Sequence, residues 1–180
     1  MRLAAPGEGT RPFADRVKQA LFGSLEADPD GPLVGPFLDL FAGSGAAGIE
    51  ALSRGAPSAV FVERDGGATR VIGDNLRRTA LEGGHVVRAD VLRFLDGDVV
   101  AAGGPFSAAV VDPPYAETDL LHSALERIAD PSRGWLQPGA VVVCKHAWRW
   151  TSEPTLGYLE RQRQKRFGET ALTWYRRLAS

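Results

Sequence analysis

The chain has 180 residues, 44% hydrophobic and 24% charged, with one cysteine and a formal net charge of −1. That length supports one globular domain with its own core. The single Cys144 excludes a disulfide framework, and the sequence holds no signal peptide and no apolar run long enough to span a bilayer. A cytoplasmic protein is expected. Cys144 sits in an apolar run and reads as a buried thiol rather than a nucleophile. His85, His122 and His146 show no metal-ligand spacing, so no metal is expected. The charge is unevenly spread. From Lys145 onward there are eight basic residues against three acids, a net of +5, which leaves −6 for the rest. A basic tail on an acidic body can contact phosphates, and it can equally be a solvated hairpin face.

Residues 1–10 are rich in Gly, Pro and Ala and read as irregular. After Arg11-Pro12, apolar residues at Phe13, Val17, Ala20, Leu21, Phe22 and Leu25 predict an amphipathic helix with one buried stripe. Pro29, Gly31, Pro32 and Gly35 make residues 27–35 a loop. Thus 1–35 forms an N-terminal segment and 36–180 the main domain, in one compact unit. An apolar run at 37–41, interrupted by Asp39, predicts the first strand. Residues 46–54 read as a helix, 59–62 as a strand closing on Glu63, and 66–81 as a helix stopped by Gly83-Gly84. A strand follows at 85–89, a helix at 91–102, a strand at 106–111 and a helix at 118–128. The fifth strand spans 135–144. Two more, about 155–164 and 170–177, pair across Phe167-Gly168. Strands alternating with helices predict a parallel, doubly wound α/β sheet, to which the hairpin adds one antiparallel strand.

Gly43, Gly45 and Gly48 form a G-x-G-x-x-G array between the first strand and the next helix. Glycines there allow close backbone approach to a ligand, and Glu63, 18 residues after Gly45, falls where an acid meets a ribose. By itself the array also fits a plain tight turn, or a site for NAD. With Asp39 before it, Ala42-Gly43-Ser44-Gly45 looks like the first motif of S-adenosylmethionine (SAM) methyltransferases, with the helix N-terminus facing a methionine carboxylate.

Ligands of open parallel sheets bind beyond the carboxyl ends of the strands, and Asp39, Glu63, Asp90 and Asp112 fall at or near four such ends. Glu63 is assigned to the ribose hydroxyls, Asp90 to the adenine amine and Asp39 to the methionine end. Asp90 also suits the cap of the following helix. Phe41, Arg64 and Val91 adjoin these positions and, with Asp112 itself, complete the candidate cofactor contacts. Asp112-Pro113-Pro114-Tyr115 reads either as a stiff turn or as the catalytic segment. In the second reading the Asp112 carboxylate and the Pro113 carbonyl accept both hydrogens of an exocyclic base amine, which helps to localise the nitrogen lone pair. Tyr115 then stacks on the base, a contact worth about 1–3 kcal/mol.

DLFAGSGAAGIEALSRGA, VFVERD, DPPY and KRFGETALTWYR, with TRPFADRVKQALFGSL near the start, resemble the RsmD family of ribosomal RNA methyltransferases over about residues 10–177. The resemblance implies a Rossmann-like SAM-dependent domain with seven strands in the order 3-2-1-4-5-7-6, strand 7 antiparallel. It implies methyl transfer from SAM to the N2 amine of a guanine in 16S rRNA, with ribosomal RNA or a small-subunit assembly intermediate as partner. Neither the residues nor the resemblance sets the oligomeric state, and a monomer is the expectation. It places Gly43, Gly45, Glu63 and Asp90 against SAM and the segment from Asp112 to Tyr115 against the guanine. Thr10, Arg11 and Arg16 match positions between cofactor and RNA, and Arg163, Lys165 and Arg166 are the basic-tail candidates for RNA. The chain departs from the family pattern in two places. It begins close to Thr10, where members usually carry a preceding basic β-hairpin, and Phe13-Ala14 replaces the usual Thr-Ser. Because the same four-residue segment serves adenine N6, a DNA or RNA adenine methyltransferase is the alternative enzyme. A SAM-fold protein that only binds RNA or a partner is the non-catalytic alternative.

Overall fold

The computed structural model describes residues 15–178. Thr10, Arg11 and Phe13 lie outside the described residues. Helix α1 (Asp15–Glu26) buries Val17, Leu21, Phe22 and Leu25, the stripe its spacing predicts. Together with α2 (Ala46–Ser53) and α3 (Gly66–Thr79) it packs on one face of the sheet, against Phe37, Phe61, Val110, Val143, Leu172 and Trp174. Helices α4 (Val91–Leu95) and α5 (Thr118–Ala129) cover the other face, against Leu38, Leu40, Val62, Val111, Val142 and Tyr175. Burial on both faces explains why β1 (Phe37–Leu40) and β4 (Phe106–Val111) read as nearly unbroken apolar runs.

The remaining strands are β2 (Ala59–Glu63), β3 (Gly84–Arg88), β5 (Leu136–Ala147), β6 (Thr155–Leu156), β7 (Leu159–Phe167) and β8 (Thr170–Arg177). The order is β3-β2-β1-β4-β5-β8-β7-β6. β1 to β5 pair in parallel, and β8 runs antiparallel to both β5 and β7. The sheet therefore has eight strands, not the expected seven. Gly157, at φ +54 and too close to the Ala129 carbonyl for any Cβ, splits the sixth expected strand into β6 and β7. The rest of the expected order holds.

Two further elements differ from expectation. The helix expected over 91–102 ends at Leu95, because Gly97 breaks it and Asp98 starts a separate turn, accepting from the Ala101 N–H at 2.7 Å. β5 runs three residues past the expected end at Cys144. Pairing with β8, Lys145 with Leu172 and Ala147 with Thr170, carries it on. Among the described residues no helix is long and apolar enough to cross a membrane.

Gly48 fixes how close α2 lies to the sheet, since a Cβ there would run into the Phe61 ring. Gly48→Ala should lower unfolding stability by about 1–3 kcal/mol through overpacking. Urea denaturation would read this, and an unchanged midpoint would mean that α2 can move aside freely.

Candidate active site

The glycine turn forms because β1 must stop and the chain must re-enter as a helix within a few residues. Gly43 and Gly45 adopt φ +57 and +79, and Phe41 also takes a positive φ of 62. Side chains rarely accept that conformation, so Phe41 carries local strain at the mouth of the site. Gly45, the residue before α2, supplies no capping side chain. Asp39 replaces it from below: its Oδ2 accepts from the Gly48 N–H at 2.9 Å, in the first turn of the helix.

That placement revises the expectation for Asp39. The side chain is buried at 2% exposure and does not line the cleft, so it holds the turn instead of meeting a cofactor. Burial holds its pKa well above the usual carboxylate range. The Gly48 hydrogen bond opposes this, while Asp112 and Glu63 add to it.

A cleft of about 960 Å³ opens at the carboxyl ends of the parallel strands. Phe41, Ala42, Gly43 and Ser44 from the turn line it, with Glu63 at the end of β2 and Arg64 after it, Asp90 and Val91 after β3, and the segment from Asp112 to Tyr115 after β4. The structure thus brings nearly every sequence-predicted cofactor and base contact to one cavity. Gly45 is buried beneath it, packed 3.1 Å from Ile72 as judged from where its Cβ would stand.

Glu63 braces the turn as well as facing the cleft. Its Oε2 accepts from the Gly43 N–H and its Oε1 from the Asp65 N–H, each at 2.9 Å. Asp90 caps α4, with Oδ1 accepting from the Arg93 N–H at 3.1 Å, and still lines the cavity. Arg64 is exposed and lies 3.6 Å from Glu117. Within the segment after β4, Pro113 is buried, Pro114 and Tyr115 are exposed, and the Pro114 carbonyl accepts from the Glu117 N–H at 2.9 Å. The Tyr115 hydroxyl hydrogen-bonds to Thr170 Oγ1, tying the segment to β8.

Sequence reasoning missed Lys145. Its Nζ donates to both carboxylate oxygens of Asp112, at 3.1 and 3.0 Å, with side-chain exposures of 7% for Lys145 and 20% for Asp112. It also lies 5.4 Å from the centre of the Tyr115 ring. Burial raises the Asp112 pKa, and Lys145 opposes that rise. The available signal was one lysine directly after the apolar run from Val141 to Cys144. Cys144 itself is fully buried, and burial pushes its thiol up to about 12, which suits a structural role.

The basic candidates separate. Arg166 stands at the β7–β8 hairpin, next to the rim residues Glu169 and Thr170. Lys165 stacks 5.2 Å over Phe167, and Arg163 lies 4.1 Å over Trp174 in the wall between β8 and α1. Arg16 is exposed near the start of α1.

The family model described as Conserved hypothetical protein 95 matches residues 2–176. YlbH of Bacillus subtilis (strain 168) is 35% identical over 97% of this chain and 91% of its own length. Ribosomal RNA small subunit methyltransferase D of Escherichia coli (strain K12) is 35% identical over 74% of this chain, a match that spans 63% of that enzyme. The solved structure of YhhF from Escherichia coli superposes with a TM-score of 0.80 at 31% identity, covering 98% of this chain and 92% of that one. The cleft, the Asp-Pro-Pro-Tyr segment at its mouth and these matches across almost the whole chain agree, and the chain belongs to the RsmD family of methyltransferases.

Proposed function

We propose that the protein transfers a methyl group from SAM to the exocyclic N2 amine of a guanine in 16S rRNA. One observation carries the cofactor reading: the charge of the cleft. Glu63, Asp65, Asp90, Asp112 and Glu169 line it, against Arg64 and Lys145. The Gly43 and Gly48 N–H groups, which a dinucleotide's pyrophosphate would need, already serve Glu63 and Asp39. Such a site disfavours a diphosphate and suits a sulfonium cation. The volume of about 960 Å³ lies near the upper end for small-molecule sites, about 300–1,000 Å³, and leaves room for a base beside the cofactor.

Glu63 would hold the ribose hydroxyls, and Asp90 and Val91 the adenine. When bound, SAM supplies an electrophilic methyl group on sulfur. The chain's own part is positioning, which can contribute about 7–11 kcal/mol. Tyr115 carries the base on its face, and Asp112 and the Pro113 carbonyl accept the two amine hydrogens. The carboxylate would then stabilise the positive charge that grows on nitrogen, and the proton that the methylated nitrogen sheds would pass to it or to water. Because the amine must reach the cleft floor, the target guanine is single-stranded or flipped out. The rRNA assignment draws on the Escherichia coli relative's name and on the Asp-Pro-Pro-Tyr segment.

Removing Glu63 takes a charged acceptor from the ribose and an anchor from the turn. Glu63→Ala should weaken SAM binding roughly 10- to 100-fold, the loss expected for a hydrogen bond to a charged group. Calorimetry with SAM, S-adenosylhomocysteine and NAD checks this, and tight NAD binding without SAM binding would reverse the cofactor assignment. For the substrate, rRNA from a strain lacking the gene should miss one N2-methylguanine that complementation restores. Loss of an N6-methyladenine instead would favour the adenine reading.

A further inference from the structure

The rim of the cleft on the β5–β8 side is built from Ala147, Glu169 and Thr170. Trp148 follows directly, its backbone N–H donating to the Glu169 carbonyl at 3.0 Å and its indole N–H to Glu169 Oε2 at 3.0 Å. Two guanidinium groups rest on that indole. Arg166 lies 3.7 Å and Arg149 4.5 Å from the ring centre. Arg166 Nε donates to the Gly168 carbonyl at 2.6 Å, which fixes its fork further.

The acid beside these arginines engages them loosely. Glu169 lies 3.6 Å from Arg149 and 3.8 Å from Arg166, too far for hydrogen bonds. Exposures of 74% for Arg149, 52% for Arg166 and 78% for Glu169 leave these pairs weakened by solvent. The result is two ordered guanidinium forks whose outer donors face water, at the edge of the cavity where Tyr115 meets Thr170. Guanidinium forks match the oxygens of a phosphodiester, and stacking on an indole reduces the freedom lost on binding one.

We propose that Arg149 and Arg166, ordered by Trp148, form a phosphate clamp for the RNA strand flanking the target base. The clamp rests on the reading that the substrate is RNA. A base delivered to Tyr115 leaves its own backbone at the rim, and this side of the rim presents the paired arginines. Glu169 is the anion that the incoming phosphate displaces. Arg163, stacked on Trp174 near α1, lies outside the clamp.

The test uses the full chain and a short single-stranded RNA carrying one guanine, with affinity followed against salt. Arg149→Gln/Arg166→Gln should weaken binding at least tenfold at low salt. It should also reduce the slope of log K against log salt by about 1.4, the value for two phosphate contacts on a single strand. SAM affinity should be unchanged. Trp148→Ala, which keeps both charges, should weaken binding while largely retaining the slope, and Trp148→Phe should restore part of the loss. An unaltered slope in the double variant, or wild-type protein that binds no RNA at low salt, overturns the clamp. The slope change in a protein that nevertheless methylates no RNA would leave the clamp standing and defeat the methyl-transfer reading.

Discussion

Asp112→Asn should slow methyl transfer about 10²–10³-fold, the cost of losing a placed electrostatic partner in such a site. The Lys145 ammonium reaches both oxygens of Asp112. In the amide, the oxygen serves Lys145 best, so the NH2 turns toward the substrate. There it opposes an amine hydrogen, donor against donor, and the negative charge that would stabilise the transition state is gone. The SAM contacts assigned to Glu63 and Asp90 lie on other strands, so SAM affinity should change little. Tyr115→Ala should act differently, raising the RNA concentration needed as well as slowing turnover. Single-turnover transfer from labelled SAM, measured beside SAM affinity, separates the two, and an undiminished rate in Asp112→Asn would remove this role.

Lys145→Met should move the acid limb of the pH–rate profile to higher pH. Asp112 is paired with Lys145 from β5, and its charge is felt by Asp39 on the neighbouring β1. Lys145 alone favours the ionised form there. Burial already holds the Asp112 pKa up, and without the ammonium it rises further. In the proposed role transfer needs the carboxylate, so activity should be lost as pH falls through that pKa, earlier in the variant than in wild type. Lys145→Arg retains a cation and should keep the limb nearly in place. Stability follows the same sign. A carboxyl whose folded pKa lies above its unfolded value destabilises the fold increasingly as pH rises between the two. The deficit of Lys145→Met should therefore grow from acid to neutral pH, toward the cost of about 3–5 kcal/mol for stranding one partner of a buried pair. Urea denaturation at several pH values reads this. A deficit independent of pH, with an unmoved limb, would make Lys145 a packing residue.

Much of the architecture was legible because local signals agreed with tertiary ones. The glycine array, the acids at strand ends and the alternation of elements all describe one sheet edge, and the structure gathers them around one cleft. What escaped was decided by partners distant in sequence. Asp39 reads as a cleft residue from its position near a strand end, but its alternation points it under the turn, to the Gly48 N–H. Lys145 fell beyond the apolar run and so beyond the expected strand, whereas pairing with β8 extends β5 through it and aims it at Asp112. The short α4 reflects Asp98 competing for backbone donors, a local effect that the apolar spacing over 91–102 does not carry. Trp148 offered no periodic pattern, because its partners come from β7 and the β7–β8 turn.

The central claim is tested most directly with purified protein, labelled SAM and unmodified 16S rRNA or nascent small subunits, by digesting the product to nucleosides. Stoichiometric label in N2-methylguanosine, abolished or strongly reduced in Asp112→Asn, is the expected result. Label in N6-methyladenosine, or no label in a protein that binds both SAM and the RNA, would contradict it.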